Sequence, residues 1–166
     1  MSKRLIILGG GESGVGAAIL GSRQGYDVFL SDGAKIPAKY VAELNEYAIR
    51  FEEGGHSEDI ILAADEIIKS PGIPEKNELV KKIRAKGIRI SSEIELAYRH
   101  KGTAKIAAIT GSNGKTTTTT ITGQICLKAG VDCAVVGNIG YSFARQVAID
   151  PKEWYIVEIS SFQLDD

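Results

Sequence analysis

Residues 105–117 read KIAAITGSNGKTT, in which a short apolar run is followed by a glycine-rich loop and the start of a helical stretch. The run has the length of a buried strand, and the loop presents backbone N–H groups to an anion. Lys115 supplies a point charge for the β- and γ-phosphates of a nucleotide, and the Thr116 hydroxyl is placed to ligate Mg²⁺. The stretch therefore predicts a phosphate-binding strand–loop–helix unit in an α/β fold.

This loop is shorter than the common P-loop. The usual pattern G-x-x-x-x-G-K-T would place its first glycine at the position of Ile109, whereas here only two residues separate Gly111 from Gly114. ATPases and GTPases of the general type seldom have this spacing. The candidate ATP-binding residues are Gly111, Ser112, Asn113, Gly114, Lys115, Thr116 and Thr117.

A second strand candidate ends in a carboxylate. WYIVE, at residues 154–158, is apolar up to Glu158. A strand-end acid beside a phosphate-binding loop is where nucleotide-hydrolysing sheets hold Mg²⁺. We therefore predict Lys115 and Glu158 as the catalytic residues, and Thr116 and Glu158 as the metal ligands.

A first glycine loop lies near the N-terminus. RLIILGGGESG, at residues 4–14, contains G-x-G-x-x-G between a predicted strand and a predicted helix, which is typical of a nucleotide-binding turn. Asp32 ends the next strand, where such folds place an acid against a ribose hydroxyl. The pattern by itself leaves open whether the nucleotide is NAD or another one. The candidate ligands are Gly11, Ser13, Gly14 and Asp32.

Short apolar runs alternate with amphipathic stretches along the chain, which favours parallel α/β layers. Strands are predicted at 4–8, 27–31, 66–69, 88–90, 105–109, 134–136 and 154–158, and helices at 13–24, 38–47, 75–86, 92–100, 114–129 and 142–148. A polar, glycine-containing segment around residues 100–103 precedes the second unit. We expect a Rossmann-like parallel-sheet domain over 1–102, followed by the start of a P-loop ATPase α/β domain over 103–166.

The composition excludes several classes of function. The chain has 166 residues, a net charge of −1 and a pI near 6.2, so no basic surface for nucleic acid is expected. Its apolar runs are too short for membrane insertion, and the N-terminal run leads into glycines, which favours a buried strand over a secretory signal.

The cysteines and histidines form no pattern typical of a site. Cys126 and Cys133 cannot make a disulfide framework and lack partners for zinc, so a reducing, cytoplasmic location is expected. His56 and His100 are isolated in the sequence, and we interpret both as ordinary surface or core histidines.

The two loops, together with GNIG at residues 137–140 and EISSFQL at 158–164, resemble the Mur ligase family. TGSNGKTT is shared across that family and the related folylpolyglutamate synthases. SSFQL after the acid, and SPGIP at 70–74, are similar to the branch that adds D-glutamate. The resemblance covers the whole chain. It implies an ATP- and Mg²⁺-dependent ligase that adds D-glutamate to UDP-N-acetylmuramoyl-L-alanine through an acyl phosphate, in peptidoglycan precursor synthesis.

The same resemblance implies roles for the candidate residues. The first domain would bind the UDP part of the muramoyl substrate and not NAD, with Ser13 at the uracil or diphosphate and Asp32 near the uridine. Lys115 and the rest of the second loop would hold ATP, while Asn138 and Gln163 would contact the muramoyl substrate.

Two places depart from the family pattern. Glu12 replaces an apolar residue and brings a negative charge to the first loop, and Gly33-Ala34 stands where relatives often offer Thr and Arg to the nucleotide.

Family members continue beyond this length, through the rest of an ATPase domain that supplies a histidine and a modified lysine for metal, into a C-terminal domain that brings the amino acid. We therefore expect the 166-residue piece by itself to be inactive. Two alternatives stay open: another Mur-type ligase that adds a different amino acid, and a non-catalytic module whose first loop holds NAD.

Overall fold

The computed structural model describes residues 2–160 and residue 163. Within that part the strands are β1 (Arg4–Leu8), β2 (Asp27–Asp32), β3 (Arg50–Glu53), β4 (Glu66–Lys69), β5 (Arg89–Ser91), β6 (Lys105–Ile109), β7 (Cys133–Gly137) and β8 (Trp154–Glu158). The helices are α1 (Glu12–Arg23), α2 (Ala38–Glu46), α3 (Glu58–Ile61), α4 (Glu78–Ala85), α5 (Glu93–His100), α6 (Lys115–Lys128) and α7 (Phe143–Ile149).

The first five strands form one parallel sheet in the order β3-β2-β1-β4-β5. β1 and β4 lie inside the sheet, and nearly every residue in them is buried, as expected for strands covered on both faces. The connections run outward in opposite directions from β1, so a crevice opens at the carboxyl ends of β1 and β4. The first glycine loop follows β1 and lies at this crevice.

The remaining strands form a second parallel sheet in the order β6-β8-β7. In its register Ile109 pairs with Glu158 on one side, and Gly137 pairs with the same residue on the other. The carboxyl ends of the three strands are therefore level. The second glycine loop after β6, Glu158 at the end of β8 and Asn138 after β7 all lie at this one edge of the sheet.

Helix α7 connects the two units: it follows β7 of the second sheet in the chain, but it packs on helices of the first unit. It packs against α1 and α5, and its Phe143 belongs to the same buried cluster as Val15 of α1 and Tyr155 of β8. The close approach depends on Gly16, because a Cβ there would lie 1.9 Å from Ser142 Oγ. The core is thus continuous from the first unit into the second.

The predicted fold class is confirmed: the structure has parallel α/β sheets, and the first has Rossmann-like strand order. All seven predicted strands and all six predicted helices are present, with ends shifted by three residues at most. The largest shift is at α4, which begins at Glu78 because the Asn77 side chain accepts a hydrogen bond from Leu79 N and caps the helix there. The domain boundary at 102/103 stays a prediction.

Two elements of the structure, β3 and α3, were not predicted from the sequence. β3 is an edge strand of four residues, RFEE, whose side chains are exposed or half-buried, so it lacks the apolar signal of the central strands. α3 is a single turn, too short to show a helical period. No helix of the described residues is long and apolar enough to cross a membrane.

Candidate functional site

The first glycine loop is shaped by close contacts. Gly9 has φ +106°, and a Cβ on it would lie 2.4 Å from Ser70 Oγ. A Cβ on Gly14 would lie 1.9 Å from Gly9 O, so only glycine lets α1 pack this closely on the loop. Gly11 differs, because a Cβ there would meet no atom within 4 Å. As the N-cap of α1 it offers no side-chain cap, so the helix amides remain directed at the crevice.

Asp32 holds this loop in place. Its Oδ2 accepts a hydrogen bond from Gly10 N at 2.5 Å, and its Oδ1 accepts one from Ala34 N at 2.8 Å. The carboxylate therefore ties the end of β2 to the turn after β1. The sequence predicted a direct contact with ribose, and the structure adds this positioning role.

The second glycine loop combines two left-handed glycines with an exposed surface. Gly111 has φ +144°, and Gly114, the N-cap of α6, has φ +74°. Lys115 Nζ donates a hydrogen bond to Gly111 O at 2.6 Å, so the lysine lies across its own loop. The hydroxyl-bearing Thr116 and Thr117 are exposed in the first turn of α6. Backbone amides, an ammonium group and hydroxyls thus meet at one helix N-terminus, which suits a polyphosphate.

Glu158 lies at the same sheet edge and is almost completely buried, with 1% of its surface exposed. Its Oε1 accepts a hydrogen bond from Asn138 Nδ2 at 3.1 Å, and its main-chain oxygen accepts one from Asn138 N at 3.0 Å. Gly137 permits this approach, because a Cβ on it would lie 2.3 Å from Glu158 O.

The other carboxylate oxygen, Glu158 Oε2, is the one buried side-chain polar atom without a hydrogen-bond partner among the described residues. An unpaired buried carboxylate oxygen is costly, and a cation would satisfy it. The described residues contain no group of three or more His, Cys, Asp or Glu side chains that could hold a metal. A single buried carboxylate with an unpaired oxygen, at the sheet edge that carries the second glycine loop, suits Mg²⁺, which is commonly bound by one or two carboxylates plus phosphate oxygens.

Gln163 is the last described residue. Its Oε1 accepts a hydrogen bond from Ser160 N at 2.8 Å, and its N donates one to Ser160 O at 3.1 Å. The side chain thus closes a tight turn directly after β8. The other residues of the SSFQL run, Ser161, Phe162 and Leu164, lie outside the described residues.

Two family descriptions match the chain over both sheets. "Mur ligase MurD-like, N-terminal domain" matches residues 3–92, and "Mur ligase middle domain" matches residues 109–166. The chain belongs to the Mur ligase family.

Several curated relatives of the chain carry the name UDP-N-acetylmuramoylalanine--D-glutamate ligase. The protein of that name from Cytophaga hutchinsonii is 54% identical over 167 residues, which cover 100% of this chain and 37% of the relative. The one from Porphyromonas gingivalis is 55% identical over 162 residues, covering 98% of this chain and 36% of the relative. The chain therefore spans little more than a third of the length of these ligases.

A solved Mur ligase structure shares the fold. The murein peptide ligase Mpl from Psychrobacter arcticus superposes with a TM-score of 0.63 at 20% identity, over 97% of this chain and 39% of that one. At that identity the likeness concerns the fold alone.

The departure at Glu12 has a structural explanation. Its carboxylate lies against Arg145 of α7, with Nε to Oε1 at 2.7 Å and Nη2 to Oε2 at 3.1 Å, and it also accepts a hydrogen bond from Ser142 N. Arg145 is buried and also pairs with Glu43 of α2. The negative charge that the sequence placed in the first loop is therefore neutralised by the second unit of this Mur ligase chain.

Sequence reasoning missed this contact and a second one beside it. Glu93 of α5 is buried, and its Oε1 accepts a hydrogen bond from Ala144 N at the start of α7. Burial raises the pKa of Glu93 to about 7, helped by the charge of Glu12 and opposed by hydrogen bonds from Ala144 and Ser142. No local pattern marks these residues, because their partners are more than 50 positions away in the chain.

Proposed function

We propose that this chain is the first part of an ATP-dependent ligase that adds D-glutamate to UDP-N-acetylmuramoyl-L-alanine during peptidoglycan precursor synthesis. One observation carries the proposal: the short glycine loop, Asn138 and the buried Glu158 meet at one sheet edge. Identity of 54% to a ligase of that name supports the choice of amino acid. Other Mur ligases add other amino acids, so this choice needs its own test.

In the first domain, Gly11, Ser13 and Gly14 would receive the UDP part of the substrate. The open side of Gly11 and the uncapped start of α1 favour an anionic diphosphate there. Asp32 would act near the uridine while holding the loop through Gly10 N.

In the second unit, Gly111, Ser112, Asn113 and Gly114 would wrap the ATP phosphates with backbone amides, and Lys115 would neutralise the β- and γ-phosphates. Thr116 and Glu158 would hold Mg²⁺, which supplies charge neutralisation as the phosphoryl group transfers. Asn138, which is bonded to Glu158, and Gln163, in the turn after β8, would contact the muramoyl substrate.

The reaction would proceed in two steps. The carboxylate of the substrate attacks the γ-phosphate of ATP to give an acyl phosphate and ADP, and the D-glutamate amine then displaces phosphate to form the amide. No nucleophilic side chain is required. The loop and Lys115 would act by positioning and by neutralising charge, which supply most of the rate in phosphoryl transfer.

Ligand preference tests the proposal for the first domain. Calorimetry of this chain should give a binding signal with UDP-N-acetylmuramoyl-L-alanine and none with NADH, because the crevice loop would receive a diphosphate sugar. Tight NADH binding without a response to the UDP-linked substrate would instead support a nicotinamide-binding module.

The amino acid is tested in a ligase of the relatives' length that contains this chain. Phosphate release should require D-glutamate together with UDP-N-acetylmuramoyl-L-alanine. Equal release with L-alanine or a diamino acid in its place would assign the chain to another branch of the family. The proposed site of action is the cytoplasm, where ATP is available and where Cys126 and Cys133, both free thiols, stay reduced.

A further inference from the structure

His56 lies at the nucleotide-binding edge of the first sheet. It belongs to the loop after β3, which crosses the end of β2: Gly55 N donates to Asp32 O at 3.4 Å, and Gly54 N donates to Ala34 O at 3.1 Å. The imidazole is exposed and sits beside Gly33, where an added Cβ would lie 3.1 Å from Nε2. The departure at Gly33 therefore makes room for this ring.

The ring is held in one orientation by a buried hydroxyl, which is itself bonded to a half-buried carboxylate. Ser31, fully buried at the end of β2, lies with its Oγ 2.7 Å from His56 Nδ1. The same hydroxyl donates to Glu52 Oε1 at 2.7 Å, and Glu52 also accepts hydrogen bonds from Ser57 N and Oγ. Burial raises the pKa of Glu52, but the hydrogen bonds from Ser57 and Ser31 outweigh it and hold that pKa below its ordinary value.

The positions of the protons follow from these contacts. Glu52 is a carboxylate and can only accept, so the single Ser31 hydroxyl proton points to it. Ser31 Oγ must then accept from His56, which places a proton on Nδ1. In the neutral imidazole the other nitrogen, Nε2, carries a lone pair. While the imidazole is neutral, the exposed side of the ring therefore offers a hydrogen-bond acceptor of fixed orientation.

A ribose hydroxyl at this strand end is a donor that such an acceptor would match. The acid at the end of β2 ordinarily accepts from a ribose hydroxyl. Here each carboxylate oxygen of Asp32 accepts one hydrogen bond from a backbone amide, of Gly10 or of Ala34, which fixes the carboxylate against the loop and leaves it one lone pair on each oxygen. His56 Nε2 lies beside the same strand end, with its lone pair available.

We propose that His56 is a specificity-determining residue of the first domain, whose Nε2 accepts a hydrogen bond from a ribose hydroxyl of the bound uridine nucleotide. This inference rests on the proposed function, since it assigns a role within the UDP site.

The test compares UDP with 2′,3′-dideoxy-UDP by calorimetry on this chain. The wild-type chain should bind UDP about 3- to 10-fold more tightly than the dideoxy compound, as one hydrogen bond predicts. His56→Ala should bind UDP more weakly by about that factor, and its preference for UDP over the dideoxy compound should shrink by the same factor. His56→Gln, which keeps a side-chain acceptor, should recover part of it. His100→Ala, a histidine remote from this edge that lies against Tyr26, should behave as wild type.

Nitrogen-15 shifts of the imidazoles give a readout that needs no variant. They should report a proton on Nδ1 of His56, with Nε2 shifting when UDP is added. A proton on Nε2 alone, or a His56→Ala chain that discriminates UDP from the dideoxy compound as strongly as the wild type, would overturn the inference while leaving UDP binding intact. A wild-type chain that ignores UDP altogether overturns the proposed function and this inference with it.

Discussion

Two charged residues of the second unit have opposite surroundings. Lys115 is half-buried, and its ammonium group bonds only to a loop carbonyl, Gly111 O, within the described structure. Glu158 is buried in the sheet edge and has one unpaired oxygen. Removing the lysine should therefore affect ligand binding and not folding, whereas the effect of changing the glutamate on folding should depend on whether the new side chain still accepts from Asn138.

Lys115→Ala, in a ligase of the relatives' length, should lower turnover by about 100-fold or more, because the positive charge that would neutralise the β- and γ-phosphates is lost. The free energy of unfolding should change by less than about 0.5 kcal/mol, as for other surface substitutions. Phosphate release dependent on UDP-N-acetylmuramoyl-L-alanine and D-glutamate measures the first, and urea denaturation the second. Lys128→Ala, at the far end of α6, is the matched control; wild-type turnover in Lys115→Ala would show that the ATP site is assigned wrongly.

Glu158→Gln should separate function from stability. The amide oxygen can still accept from Asn138, and the buried negative charge disappears, so the free energy of unfolding should stay equal or rise by about 1 kcal/mol. Activity should fall, and part of it should return at high Mg²⁺ concentration. Urea denaturation and a Mg²⁺ titration of phosphate release test this, with exposed Glu153→Gln as the control. An unchanged Mg²⁺ dependence in Glu158→Gln would remove Glu158 from the metal site.

At the scale of elements, the start of α7 is held by acidic residues from the first unit. Glu12 of α1 accepts from Ser142 N, and Glu93 of α5 accepts from Ala144 N. Carboxylates are favourable at a helix N-terminus, where the backbone amides point outward. Carboxylates of the first unit therefore cap the N-terminus of α7, and these contacts help to hold the two units together.

Glu93 should make stability depend on pH. Its pKa is raised from 4.5 to about 7 by burial, so the folded state keeps a proton that the unfolded chain releases. Stability should therefore fall as pH rises from about 4.5 to 7, by about 3 kcal/mol, and stay level above that range. Glu93→Gln should lack this part of the decrease. Urea denaturation of both proteins at pH 5 and 8 measures the difference; the same pH slope in Glu93→Gln would contradict it, and exposed Glu46→Gln should keep the wild-type slope.

At the scale of the whole molecule, the chain contains two sheet edges that carry glycine loops but spans little more than a third of the length of its ligase relatives. One apolar side of α6 is exposed: 54% of the surface of Ile121 and 62% of that of Ile125 are accessible to solvent. The two sheets share a core through α7, so each edge is held in a fixed place by the same packing.

The 166-residue chain should therefore bind nucleotides without ligating. The family resemblance assigns further metal ligands and amine delivery to parts of the ligase beyond this length, and positioning supplies most of the rate in such reactions. Incubation with ATP, Mg²⁺, UDP-N-acetylmuramoyl-L-alanine and D-glutamate, followed by chromatography, should give no D-glutamyl product. A ligase of the relatives' length is the positive control. Product formed by the short chain unaided would refute the assignment.

The sequence by itself determined the fold class, the seven main strands and the position of both glycine loops. These depend on local physics: apolar runs bury themselves as strands, and glycines allow the turns that precede helices. Gly9, Gly111 and Gly114 all adopt positive φ angles, as a loop that bends sharply onto a helix requires.

Tertiary structure alone decided which distant groups meet. Glu12 looked unsuited to a diphosphate loop until Arg145, 133 positions later, was found to neutralise it. His56 looked ordinary because its orientation depends on Ser31, 25 positions earlier, and on a glycine at position 33 that makes room for the ring. Local sequence patterns record which conformations a segment prefers, but the environment of a charge or an imidazole is set by the atoms packed around it, and packing brings these together from the whole chain.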